Sequence, residues 1–132
     1  METQKALQNL RLLGLNSKID SVTEDAKFAL QENYLLAEIV DKIVDRIKNL
    51  LEDRSNKIEV SIYDDISRTR WKEFTITVKV ESKKGFNEIL ELWDIIGKEV
   101  ENIINYEKKV KNNLRDEIEK IDENLAVMVD EL

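Results

Sequence analysis

From the N-terminus to about Asp53, apolar residues return on a seven-residue repeat. One column is Leu12, Ile19, Ala26, Asn33, Val40 and Ile47; the other is Leu15, Val22, Ala29, Leu36, Ile43 and Leu50. Alternating steps of three and four place both columns on one helix face, which predicts a long amphipathic helix. The stretch from Gly14 to Thr23 interrupts the pattern. Asn16 and Ser17 are poor mid-helix residues, and Ser21-Val22-Thr23-Glu24 has the form of a capping box, with Ser21 at the N-cap and Glu24 at N3. The segment is either one continuous helix, as the preserved phase suggests, or a short helix to about Leu13 followed by a main helix from about Val22. The cap tips the reading to the break.

The period then changes to two. Ile58, Val60 and Ile62 alternate within Lys57–Asp64, and Phe74, Ile76, Val78 and Val80 alternate within Trp71–Glu81, with Thr75 and Thr77 on the opposite face. This predicts an antiparallel β-hairpin over about residues 57–81, with the polar stretch from Asp64 to Arg70 as its loop. A two-stranded hairpin is marginal alone, so it must lie on a helix, pair with a second copy, or both. After Gly85 the heptad resumes through Trp93, Ile96, Val100, Ile103, Val110, Leu114, Ile118, Ile121, Leu125 and Met128, interrupted only by Gly97. A helix over about 86–130 would be roughly 70 Å long at the usual rise, so it bends or projects. The fold class expected is α+β and helix-dominated, in a single domain of residues 1–132.

If the two long helices run antiparallel, with Glu52 meeting Phe86 at the hairpin end, Asn33 falls opposite Asn105 and Glu107 lies half a turn further on. These three residues form a candidate polar layer that fixes register at some cost in stability. The alternative is that each is exposed where its helix leaves the core. The apolar stripes are wider than a two-helix seam needs. A helical bundle completed by dimerisation is the economical answer, with Leu36, Val40, Ile43, Ile47, Trp93, Ile96, Val100 and Ile103 at its core. A short N-terminal helix folding back would cover part of the same surface in a monomer.

Composition narrows the chemistry. Of the 132 residues none is Cys, His or Pro. Disulfides, thiolate metal sites and cysteine nucleophiles are therefore excluded, and the commonest general base and transition-metal ligand are missing. Carboxylates recur on the last helix, as at Glu88 and Glu91 or Glu117, Glu119 and Glu123. Without His the Glu-x-x-His pattern of di-metal bundles cannot form, so no metal or other cofactor and no enzymatic activity are expected. Charged residues make up 37% of the chain, above the usual ~25%. Long solvated helix faces require such an excess, and heat-adapted proteins share it, so a thermophilic source is expected. No apolar run reaches the ~18–20 residues of a membrane span, and the start lacks the basic region of a signal peptide. A cytoplasmic protein without membrane contact is expected.

Charge is uneven along the chain. Residues 54–84 hold 8 Lys or Arg against 5 Asp or Glu, whereas residues 85–132 hold 6 against 13. The hairpin is thus a basic element in a chain of net charge −7, and Arg68, Arg70, Trp71 and Lys72 cluster at its tip as candidate partner-binding residues. An aromatic ring beside arginines suits single-stranded nucleic acid or a phosphate. Against this, nucleic-acid binders usually carry a domain-wide basic balance, and the same arginines can pair with the acidic helices.

The order long helix, β-hairpin over Ile58–Val80, long helix is similar to the layout of β-type prefoldin subunits. That resemblance implies hairpins that assemble into a barrel and coiled coils that hold unfolded clients; it carries over no individual residues. The function expected from the residues themselves is that of a non-enzymatic assembly or adaptor protein, a homodimer that binds another macromolecule. Nucleic-acid association through the hairpin loop is the alternative, and a prefoldin-like chaperone role a further one.

Overall fold

The computed structural model of the chain describes residues 18–65 and 71–132. Their elements run in the order β1 (Ser21–Val22), α1 (Glu24–Glu32), α2 (Tyr34–Leu51), β2 (Asn56–Asp65), β3 (Trp71–Val80), α3 (Phe86–Val110), a 3-10 turn (Asn112–Leu114), α4 (Arg115–Glu123) and β4 (Leu125–Glu131). The strands form one sheet in the order β1-β2-β3-β4, with β2 and β3 antiparallel, β1 parallel to β2 and β4 parallel to β3. Parallel neighbours need a crossover connection, and helices supply both: α1 and α2 join β1 to β2, α3 and α4 join β3 to β4. The fold is mixed α+β.

Strand alternation sorts the sheet into two faces. Ile58, Val60, Phe74, Ile76, Val78, Val80 and Val129 are buried in one core with the apolar faces of the helices. From α2 that core takes Ile39, Val40, Ile43, Val44 and Ile47, and from α3 it takes Ile89, Ile96 and Ile104. On the opposite face stand Lys57, Glu59, Thr77 and Lys79, where Glu59 and Lys79 pair at 3.4 Å. Truncating a fully buried isoleucine such as Ile43 to Ala would cost about 2–5 kcal/mol.

The hairpin matches its expected span, and Asp64 and Asp65 extend it to the rung where Asp65 faces Trp71. The first helix is corrected in two places. Ser21 and Val22 pair with Glu59 and Val60 as a strand, so Thr23, not Ser21, precedes the first helical turn, which Glu24 and Asp25 suit by charge. The expected short helix up to Leu13 lies outside the described residues. A further break falls at Asn33, in extended conformation (φ −126°, ψ 95°), where the Oδ1 atom accepts from the Leu36 N–H at 3.1 Å. An asparagine side chain offers the backbone a cap in place of another helical turn, and the heptad phase survives that break unchanged.

The expected helix over 86–130 is corrected more heavily. It ends at Val110; Lys111 leaves helical geometry (φ −108°, ψ 61°) ahead of Asn112 and Asn113, weak helix formers in succession. The chain turns back through α4 and finishes in β4, whose Leu125 to Glu131 face Phe74 to Val80 of β3. What was expected as a two-stranded hairpin is therefore the centre of a four-stranded sheet, and no 70 Å helix projects. Among the described residues no helix is long and apolar enough to cross a membrane.

Candidate interaction surface

The hairpin tip extends beyond its neighbours. β4 accompanies β3 only from Phe74 onward, and β1 accompanies β2 only at Glu59 and Val60. Trp71 and Lys72 occupy the last rungs, opposite Asp65 and Asp64. Arg68 and Arg70 lie outside the described residues.

The residues expected at the bundle core are mostly buried within one chain. Leu36, Val40, Ile43, Ile47, Ile96 and Ile103 belong to the core shared with the sheet, and Val100 packs half-buried against it. The sheet thus meets much of the demand for cover that the wide stripes create. Trp93 departs from this group: it is 38% exposed, and its indole Nε1 donates to the Val127 carbonyl of β4 at 3.0 Å.

The polar layer of Asn33, Asn105 and Glu107 does not assemble. Arg54 meets Glu88, Arg46 meets Glu99, Lys42 meets Glu107, and Glu38 meets Lys111. In this register Asn33 lies past the end of α3, beside Glu117, Lys120 and Asn124, while Asn105 is exposed. The return of the chain through α4 and β4 sets a different alignment from the one a plain two-helix hairpin implies.

Glu107 alone of the three is buried, with 1% of its surface exposed. Lys42 and Lys111 both reach it, and both also reach Glu38, at 3.7 and 2.5 Å. Two acids and two bases thus alternate in a closed ring between α2 and the end of α3. Burial alone would raise the Glu107 pKa, but the hydrogen bonds and charges of Lys42 and Lys111 outweigh it and hold the carboxyl below its ordinary value. Burial likewise works against the Lys111 charge, yet Glu38 and Glu107 hold its pKa above the usual lysine value. An open cleft of about 450 Å³ runs beside the ring, with Asp45, Arg46, Asn102 and Tyr106 on its walls. The balanced ring leaves this cleft no dominant charge with which to select an ion. Among the described residues no group of three or more acidic side chains is placed to hold a metal ion.

A different surface lies at the other end of α3. At about 100° per residue, Trp93, Gly97, Ile104 and Lys108 share one flank of that helix. Beyond Gly97 the flank is covered: Ile104 is buried, and Lys108 pairs with Glu119 of α4 at 2.5 Å. Among the described residues nothing covers the N-terminal half. Phe86 is 72% and Leu90 46% exposed, and Leu90, Trp93, Asp94, Gly97, Lys98 and Glu101 line a shallow shelf of about 610 Å³. Asp94 and Lys98 pair along the helix at 3.1 Å, both well exposed. A Cβ at Gly97 would meet nothing within 4 Å, so nothing among the described residues requires glycine there, although glycine costs about 1 kcal/mol relative to alanine in a helix interior.

The sequence draws attention to this surface only through the width of its apolar stripe; Gly97 reads there as a helix breaker and nothing more. Comparison with known proteins finds no similarity: no family model, no curated protein and no solved structure matches the chain.

Proposed function

We propose that this chain is a non-enzymatic assembly protein, one that self-associates as a homodimer and binds another macromolecule. The observation that carries the proposal is the bare apolar flank of α3, where Phe86, Leu90 and Trp93 stand exposed in one stripe beside the edge strand β4. A contiguous apolar patch at a surface marks an interaction site far more often than scattered single residues do. The lack of His and Cys in the sequence supports the non-enzymatic part. In this proposal a second chain completes the helical layer at α3, rather than at the α2 residues buried against the sheet.

Light scattering at two concentrations tests it. The expected mass is twice the 15.5 kDa of one chain at the higher concentration, falling towards the single-chain value on dilution. A mass of 15.5 kDa throughout contradicts self-association.

One observation favours a second reading, association of the hairpin with nucleic acid: the ribbon carrying Trp71 and Lys72 extends past both flanking strands. A gel shift that weakens with salt and vanishes in Arg70→Ala would support it. No shift at low salt would end it.

A further inference from the structure

Lys98 is the one cation in the sequence from Phe86 to Glu107, a stretch that also holds Glu88, Glu91, Asp94, Glu99 and Glu101. On the shelf it sits one helical turn from Asp94, so acid and base follow each other along the same exposed edge. A partner of uniform charge would meet a like charge either at Lys98 or at Asp94 and Glu101, whereas the paired Asp94 and Lys98 call for one opposite charge each. A surface that satisfies both is the same sequence run in the opposite direction.

We propose that a second copy of this chain docks on the Phe86–Glu101 flank with its own α3 antiparallel, the two helices crossing near Ile95, midway between Trp93 and Gly97. This deepens the reading of the chain as self-associating, and rests on it. In that arrangement the indole of Trp93 from each chain lies over Gly97 of the other, in a notch that any side chain at 97 would fill. Lys98 of each chain comes within reach of Asp94 of the other, so the two exposed ion pairs within the chains are exchanged for two between them. Leu90 and Phe86 continue the apolar contact on either side of the crossing. The open space above Gly97 and the reversible sign pattern of Asp94 and Lys98 are independent features, and one occupant explains both.

A charge-exchange experiment tests the geometry. Asp94→Lys leaves two cations on the edge and Lys98→Glu leaves two acids, so each variant alone should associate at least tenfold more weakly than the native chain. Mixed in equal amounts, they should recover a dimer, because each supplies the charge the other lacks. Loss of the pairing within one helix could weaken a single variant, but it cannot produce recovery on mixing. Gly97→Gln should be monomeric with a melting temperature at or above that of the native chain, since the site has room for a side chain. A native dimer that persists in Gly97→Gln, or single variants that dimerise as well as the native chain, would overturn this interface while leaving self-association intact. A native chain that is monomeric at every concentration would overturn the interface and the proposed function together.

Discussion

From Ile103 to Val110, α3 is held on two sides: Glu107 is locked between Lys42 and Lys111, and Lys108 is tied to Glu119 of α4. From Phe86 to Glu101 nothing among the described residues covers the α4 side of the same helix, where Phe86, Leu90 and Trp93 are exposed and the pair of Asp94 with Lys98 is turned to solvent. The buried Glu107 carboxylate and the exposed apolar groups are inversions of the usual pattern, but they differ in kind. The charges answer one another in a closed ring and fix how α3 lies on α2. The apolar residues have no answer among the described residues, and the proposed function rests on this N-terminal half of the helix.

The largest expected effect comes from breaking the ring. Lys42→Met combined with Lys111→Met leaves the Glu107 carboxylate buried without a counter-charge and should cost about 3–5 kcal/mol by chemical denaturation. A cost below ~0.5 kcal/mol, the scale of an ordinary surface substitution, would erase the contrast between the two halves. Acid should act on the ring and on two carboxyls outside it. The carboxyls of Glu107, Glu88 and Glu119 are all held below their ordinary value of 4.5 in the folded chain. For Glu88 the backbone N–H of Lys84 is the main cause, with the Lys83 N–H and Arg54 adding to it against desolvation; for Glu119 it is the hydrogen bond from Lys108. Their stabilisation is complete above that value and is lost as the pH falls through the folded-state pKa values. Asp41 works in the opposite direction, because burial and the nearby Asp45 raise its pKa. Thermal melts below pH 4.5 should therefore show falling stability, with a shallower slope in Glu107→Gln.

Smaller effects sharpen the comparison. Asn33→Ala removes the cap of α2 and should cost about 1 kcal/mol. On the bare half the sign reverses: Gly97→Ala should raise the stability of the single chain by about 0.5–1 kcal/mol, because the added methyl meets nothing. Asp94→Asn should change folding stability by less than ~0.5 kcal/mol, since its pair with Lys98 is exposed. A large loss at Gly97 or Asp94 would mean that this flank serves the fold rather than a partner.

How far the sequence foretells this molecule depends on how local each decision is. Alternation at Ile58, Val60 and Ile62 and at Phe74, Ile76 and Val78 needs only its own segment, and it delimits β2 and β3 closely. Asn33 was visible as a polar residue in an apolar column, but a cap and a buried polar layer look alike in a heptad and differ only in the backbone. Leu125 and Met128 continue the heptad, while Leu125, Val127 and Val129 alternate; a short apolar run fits both periods, and the pairing with β3 decides it. Once β4 takes its place, the alignment of α2 with α3 shifts and Asn105 is left at the surface. The candidate surface was legible only as excess width. Which part of that width the sheet would cover, and that Leu90 and Trp93 would stay open around Gly97, follows from the position of α4 and β4 and not from the helix itself.

The central claim is that the N-terminal half of α3 is the self-association surface, and hydroxyl-radical footprinting of the native chain at low and high concentration tests it most directly. Phe86, Leu90 and Trp93 should lose reactivity as concentration rises, while Tyr34 and Tyr63, exposed on other elements, keep theirs. Unchanged reactivity at all five residues, or protection confined to Tyr34 and Tyr63, would contradict it.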